Sequence, residues 1–248
     1  MIERGEGWEL RLGDCIEGMR GLADDSVDVT VSDPPFEAEA HTKQRRVKRG
    51  SITANEALPF AAITGEQRIC AAQEIARVTK RWALVFCQVE ASQDWALAFV
   101  SSGLDYVRTM VWIKPDGMPQ YTGDRPGMGY ESIVVCHRPG RKRWNGGGRH
   151  GVFTENKNAG RPAGEAAPHP TTKPLPLMRE LVSLFSDPDD LVLDPFSGSG
   201  STGIACTQTG RRFLGWELNR EYFDIACRRL RGDEAKPNPA QPSLFGAA

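Results

Sequence analysis

The stretch LVLDPFSGSGSTG, Leu191–Gly203, decides the fold. An apolar run ends on Asp194, a glycine turn follows, and a helical pattern resumes near Ser199. A strand, turn and helix joined this way point backbone N–H groups and a helix N-terminus at a ligand, and the glycines let that ligand approach closely. Gly198, Gly200 and Gly203 spell GxGxxG, and Glu217 lies 19 residues after Gly198 at the end of the next strand candidate, so the dinucleotide fingerprint is met on paper. Two details point elsewhere. Asp194 sets a carboxylate beside the place of a pyrophosphate, which it would repel, whereas it could accept a hydrogen bond from an ammonium group. The motif also lies so late that only one further βα pair can follow. A nucleoside with an amino-acid tail fits better, with Glu217 taking the ribose hydroxyls.

Outward from this junction, strand and helix patterns alternate. That predicts an α/β fold with a seven-stranded, mostly parallel, doubly wound sheet and one antiparallel edge strand. The strand candidates are Trp8–Leu12, Val27–Ser32, Trp82–Cys87, Tyr106–Ile113, Tyr130–Cys136, Leu191–Asp194 and Arg212–Trp216. Helical patterns fall near Gln67–Lys80, Ala91–Ser101, Pro174–Phe185, Ser199–Thr209 and Arg220–Arg231. Only a Gly/Pro-rich loop joins the strands from Tyr106 and Tyr130, so they are expected to form an antiparallel hairpin at one sheet edge. Residues 138–168 lack periodicity and read as an insert, mobile without a partner; residues 233–248 read as a flexible tail. Residues 1–137 and 169–232 then form two parts of one domain.

At 248 residues and 40% hydrophobic content the chain can bury a sizeable core. No apolar leader opens it and no run approaches membrane-spanning length, so a cytoplasmic location is the default expectation. The six cysteines form no CxxC pair and several sit in apolar runs, which reads as reduced core residues; no metal is expected. The net charge of −1 hides two basic clusters. Lys43, Arg45, Arg46, Lys48 and Arg49 stand without an acid, and His137–Arg161 holds seven Lys/Arg against the single Glu155. A solvated face and a phosphate-contacting surface account for such clusters about equally.

DPFSGSGSTG together with SDPPF (Ser32–Phe36) resembles the S-adenosylmethionine-dependent amino methyltransferases of DNA, in the permuted group whose DPPY-type motif precedes the glycine loop. RLGDC (Arg11–Cys15) and HPTTKP (His169–Pro174) are similar to two further segments of that family, so the likeness covers nearly the whole chain. The resemblance implies that Asp14, next to Cys15, reads the cofactor adenine, and that His169, Thr171, Thr172 and Lys173 lie near its methionine part. It also places Asp33, Asp194, Pro195, Phe196, Ser197, Gly198, Gly200, Glu217 and Asn219 around the cofactor. Double-stranded DNA is the implied partner, and a homodimer is common in the family.

Within VDVTVSDPPF (Val27–Phe36), a residue before proline is pushed into extended geometry, and Pro34 and Pro35 each fix φ. The corner therefore holds the Asp33 carboxylate and the Pro34 carbonyl as two acceptors at a strand's carboxyl end. An exocyclic amino group has two N–H bonds to give them, and Phe36 offers a stacking face worth ~1–3 kcal/mol to a base flipped out of the duplex. Catalysis is thus expected from Asp33, Pro34, Pro35 and Phe36. No cysteine follows a proline, so the cytosine-C5 class, with its Pro-Cys loop, is disfavoured. In the family the Asp-first motif goes mostly with adenine N6 and the Ser-first motif with cytosine N4, so adenine is expected, with cytosine N4 the alternative. A non-catalytic DNA-binding regulator that keeps the cofactor fold is the rival from another class. With DNA as substrate, the loop from Lys43 to Arg49 and the trio Arg141, Lys142 and Arg143, in the insert 138–168 that the resemblance sets at the family's target-recognition position, become expected DNA contacts flanking the clamp. QPSLF (Gln241–Phe245) resembles the peptide by which bacterial proteins bind the replication sliding clamp, with Gln241, Leu244 and Phe245 as anchors.

Overall fold

The computed structural model describes residues 1–36, 62–117, 119, 123–124, 126–160 and 172–233. The central strands are buried along most of their length, polar positions included, as expected of strands covered on both faces. β3 (Val27–Ser32), β4 (Thr79–Cys87), β8 (Leu191–Asp194) and β9 (Arg212–Glu217) follow this rule. They are joined by β1 (Ile2–Gly5), β2 (Trp8–Leu12), β5 (Asp105–Ile113), β6 (Tyr130–His137) and β7 (Val152–Thr154). The strand order is β1-β2-β9-β8-β3-β4-β6-β5-β7, with parallel pairing at every junction except β1/β2, β4/β6 and β5/β6.

Alternation within each strand divides the core into two layers. Val31, Leu84, Phe86, Ile133 and Phe213 face one side, where α4 (Leu175–Phe185), α5 (Ser201–Gln208) and α6 (Arg220–Arg231) pack through Leu181, Ala205 and Phe223. Val27, Ala83, Val85, Val134 and Trp216 face the other, against α1 (Cys15–Arg20), α2 (Gly65–Val78) and α3 (Ser92–Ser101) through Met19, Ile75 and Phe99. Each such fully buried Leu, Ile, Val or Phe stabilises the fold by about 1.5–3 kcal/mol. Local signals set the helix ends. Thr64 and Gln67 form a capping box before α2, and Gly232, at φ 74°, ends α6 in the left-handed region.

The sheet is doubly wound and mostly parallel as read, but it has nine strands among the described residues instead of seven. The hairpin partner β6 lies between β4 and β5, and the edges fall to β1 and β7. Both edge strands are too short to show a period in sequence. β7 and three further anchors tie 138–160, the described part of the expected insert 138–168, to the body. The Trp82 indole donates to the Arg143 carbonyl at 2.6 Å, the Trp112 indole donates to the Glu155 carbonyl at 2.8 Å, and Trp144 packs edge-on against Phe185 at 5.1 Å. These anchors are long-range, so local periodicity carries no trace of them. At the far end, Arg231 of α6 pairs with Glu3 of β1 at 2.5 Å.

Candidate active site

The carboxyl ends of β2, β9, β8 and β3 lie side by side, and each leads into an acid: Asp14, Glu217, Asp194 and Asp33 in that order. Open α/β sheets bind ligands at this edge. The β3/β8 pair fuses two segments some 160 residues apart: the Ser32 hydroxyl donates to Asp194 Oδ1 at 2.7 Å. The Thr202 hydroxyl donates to Asp194 Oδ2 at 2.5 Å, and the Phe196 N–H donates to Oδ1 at 3.1 Å. Burial pushes the Asp194 carboxyl upward, outweighing these three bonds. Asp194, only 2% exposed, is therefore the rivet under the glycine turn. Its place at the strand end agrees with a second use, as acceptor for a ligand ammonium, only through Oδ2, which takes a single bond from the protein.

After Pro195 and Phe196, the turn is held by Ser197, whose N–H donates to the Trp216 carbonyl at 2.9 Å. Gly198 and Gly200 adopt φ 52° and 82°, which only glycine takes cheaply. A Cβ on Gly200 would stand 3.1 Å from that of Ala226, whereas one on Gly198 would enter open space. Glu217 braces the turn: Oε2 accepts from the Gly198 N–H at 2.8 Å and Oε1 from the Asn219 N–H at 2.7 Å. Burial pushes its carboxyl up to about 7, against the lowering effect of those backbone donors. Asn219 caps α6.

Asp14 caps α1, a helix the sequence reading missed, and its Oδ1 accepts from the Ile16 and Glu17 N–H groups at 2.8 and 3.0 Å. Next to it the Cys15 thiol is buried and pushed up to about 12, mainly by desolvation, which makes it an apolar wall of the site.

At the other end of the site, Pro34 is buried and Asp33, Pro35 and Phe36 are half-buried. Lys173, 6% exposed, donates from Nζ to Asp33 Oδ2 and stands 5.8 Å from the Phe36 ring centre. Sequence reasoning set Lys173 near the methionine part of a cofactor but did not foresee its pairing with Asp33. Asp33 Oδ1 is buried and has no hydrogen-bond partner among the described residues. Burial, with the carboxylates of Glu131 and Asp194 added, pushes the Asp33 carboxyl up to about 6 although Lys173 opposes it. Sequence reasoning missed Glu131 and Lys114. Glu131 Oε1 accepts from Lys114 Nζ at 3.0 Å, and its Oε2 lies 3.3 Å from Lys173 Nζ. The only signal was an acid at the head of the otherwise apolar run SIVVC. Thr172 and Ser199 share a hydroxyl contact at 3.2 Å, which ties the segment before α4 to the glycine turn.

Arg141, Lys142 and Arg143 are not brought to this site. They follow His137, which pairs with Trp82 and Asp105 at the amino edge of the sheet, and Lys142 and Arg143 bridge to Asp105 and Asp187 there at 2.9 and 3.2 Å. This corrects the expectation that they flank the clamp: β6 runs antiparallel and carries its following loop to the opposite edge. His169, Thr171, Lys43, Arg45, Arg46, Lys48, Arg49, Gln241, Leu244 and Phe245 lie outside the described residues. Among the described residues no cluster of His, Cys, Asp or Glu could hold a metal ion, and no helix is long and apolar enough to cross a membrane.

A strand-end row of acids, a glycine turn and a proline-stiffened carboxylate thus share one edge of the sheet. The N6_N4_Mtase family model, described as DNA methylase, matches residues 27–228, and the chain belongs to that family of DNA methyltransferases. The type II methyltransferase M.HinfI of Haemophilus influenzae is 26% identical over 255 residues, covering 94% of this chain and 70% of that protein. M.Cfr9I of Citrobacter freundii is 36% identical over 152 residues, and the chain spans 50% of its length. Among solved structures, the M1.HpyAVI–SAM complex superposes with TM-score 0.66 at 25% identity, covering 90% of this chain and 98% of that one.

Proposed function

We propose that this chain transfers the methyl group of S-adenosylmethionine to the N6 amino group of an adenine flipped out of duplex DNA. The observation that carries the reading is Asp33 Oδ1, a buried acceptor without a partner among the described residues, on a carboxylate whose other oxygen is already held by Lys173. A buried acceptor left unmet costs about 1–3 kcal/mol, so it is a place prepared for a donor.

The residues present fit the cofactor. The open space over Gly198 admits a ligand against the main chain, Glu217 stands at the strand end where ribose hydroxyls are taken, and Cys15 and Asp14 border the next strand. When bound, S-adenosylmethionine supplies an electrophilic sulfonium methyl group. The chain supplies orientation. Asp33 Oδ1 accepts one N–H of the target amino group and the Pro34 carbonyl accepts the other, which fixes the nitrogen lone pair and stabilises the positive charge that grows on nitrogen. With its carboxyl raised to about 6, Asp33 is ionised at neutral pH yet basic enough to take up the proton that leaves. Phe36 gives the extruded base a ring to stack on. The preference for adenine rests on aspartate at the first position of the DPPF motif.

Lys43, Arg45, Arg46, Lys48 and Arg49 follow this clamp directly in sequence, and we assign the phosphate contacts to them. The test is incubation with labelled S-adenosylmethionine and duplex DNA, RNA or free nucleosides, followed by nucleoside analysis. Label in N6-methyladenine of DNA is expected. Label only in N4-methylcytosine overturns the choice of base, and label only in RNA or free nucleosides overturns the choice of polymer.

A further inference from the structure

Four charged side chains from positions distant in sequence form a largely buried row at the clamp. Asp33 Oδ2 takes Lys173 Nζ, Lys173 stands 3.3 Å from Glu131 Oε2, and Glu131 Oε1 takes Lys114 Nζ at 3.0 Å. Lys173, Lys114, Glu131 and Asp33 are 6, 11, 14 and 20% exposed, and their charges cancel. A row of this kind is not explained by stability, because the desolvation of buried ions commonly consumes what their attraction returns.

Its geometry has one asymmetry. Lys173 has three N–H donors and engages one Asp33 oxygen, while the other stays buried and, among the described residues, unpartnered. On its other side the ammonium faces Glu131 Oε2 at ion-pair distance, an atom that has no hydrogen bond among the described residues; Glu131 is held from behind by Lys114, itself seated 5.4 Å from the Trp112 ring centre.

We infer that Glu131 is a positioning residue for methyl transfer: by sharing the Lys173 ammonium it confines that group to Asp33 Oδ2 and leaves Oδ1 for the amino group of the target base. This rests on the reading of Asp33 given above. Without the charge of Glu131, Lys173 turns wholly to Asp33, spans both oxygens and weakens the acceptor.

The test is Glu131→Gln, which keeps the shape. Single-turnover methylation of genomic duplex DNA from a methylation-deficient host is followed from pH 5.5 to 8.5, and S-adenosylmethionine affinity is measured separately by calorimetry. The charged groups acting on Asp33 are Lys173, Glu131 and Asp194. Loss of the Glu131 charge removes a neighbour that favours the protonated form, so the acid limb of the profile moves down by roughly one pH unit. The plateau rate falls by roughly tenfold through loss of orientation. Cofactor affinity stays within about twofold, since Glu131 is remote from the glycine turn. Lys114→Met moves the limb the opposite way, and that shift decides the matter if the glutamine variant does not fold. A limb that stays in place in both variants overturns the inference, whether or not the rate falls, as does a parallel loss of cofactor affinity. A wild-type protein that incorporates no label overturns the reading of Asp33 itself, and this inference with it.

Discussion

Thr202→Val separates two roles for Asp194, structural rivet and ligand acceptor. The substitution exchanges a hydroxyl for a methyl of nearly the same size at a position 3% exposed, and it removes the 2.5 Å donor from Asp194 Oδ2. A hydrogen bond to a charged group contributes about 1.5–3 kcal/mol, and the helix propensities of Thr and Val are close, so that range is the expected loss of stability. For a domain of this size about 1 kcal/mol shifts Tm by ~2–4 °C, so Tm drops by about 5–10 °C. The loss depends on pH. Folding raises the Asp194 carboxyl above its ordinary value, so this group favours the fold at low pH and that contribution is lost as pH rises through the folded value. Removing a donor to the ionised form widens the gap, so the destabilisation must be larger at pH 8 than at pH 5. Urea titrations at both pH values read it directly, with calorimetric titration of S-adenosylmethionine alongside. Unchanged stability with cofactor affinity reduced tenfold would falsify the rivet and restore Asp194 to the ligand.

Asp33→Ala is expected to lower single-turnover methylation by about 10²–10³, the size of a lost preorganised electrostatic contact, with cofactor affinity kept; equal loss of both refutes its role. Lys173→Met leaves two buried carboxylates, Asp33 and Glu131, short of their shared cation and should cost about 3–5 kcal/mol in urea unfolding, so a neutral result removes the buried row. Ribose hydroxyls favour the ionised form of Glu217, whose carboxyl is raised to about 7, so cofactor affinity should weaken by up to ~10-fold per pH unit below that point; equal Kd at pH 6 and 8 contradicts its assignment. The triple change of Arg141, Lys142 and Arg143 to Ala should leave the salt dependence of DNA binding unaltered, whereas neutralising Lys43, Arg45, Arg46, Lys48 and Arg49 should flatten it.

Those elements whose identity is local were legible from sequence. LVLD, WALVFC and SIVVC announce buried strands because both faces of the sheet are covered, and the glycines at 198 and 200 announce the turn because no other residue takes those angles cheaply. What escaped is defined by its partners. β7 exists because Val152–Thr154 meets Val111–Ile113 across the sheet, and α1 is only 6 residues long, with a glycine inside it. Within the site, DPPF and the glycine turn were found in isolation, but the pairing of Lys173 with Asp33 and the approach of Glu131 are properties of the packed sheet. The basic trio was misplaced for a related reason. Charge can be read along a chain, but the edge at which an antiparallel strand delivers it cannot.

The contact between Glu3 and Arg231 brings the beginning of the sheet beside the end of its last helix. The first strand and the last helix of the described residues are therefore neighbours. A short linker across that gap, with the backbone opened after His137, would yield a circular permutant in which the glycine turn comes first and the proline corner last. Its reaction centre would meet at the same Ser32–Asp194 seam, so the order in which the two halves are synthesised is separable from the chemistry they perform together.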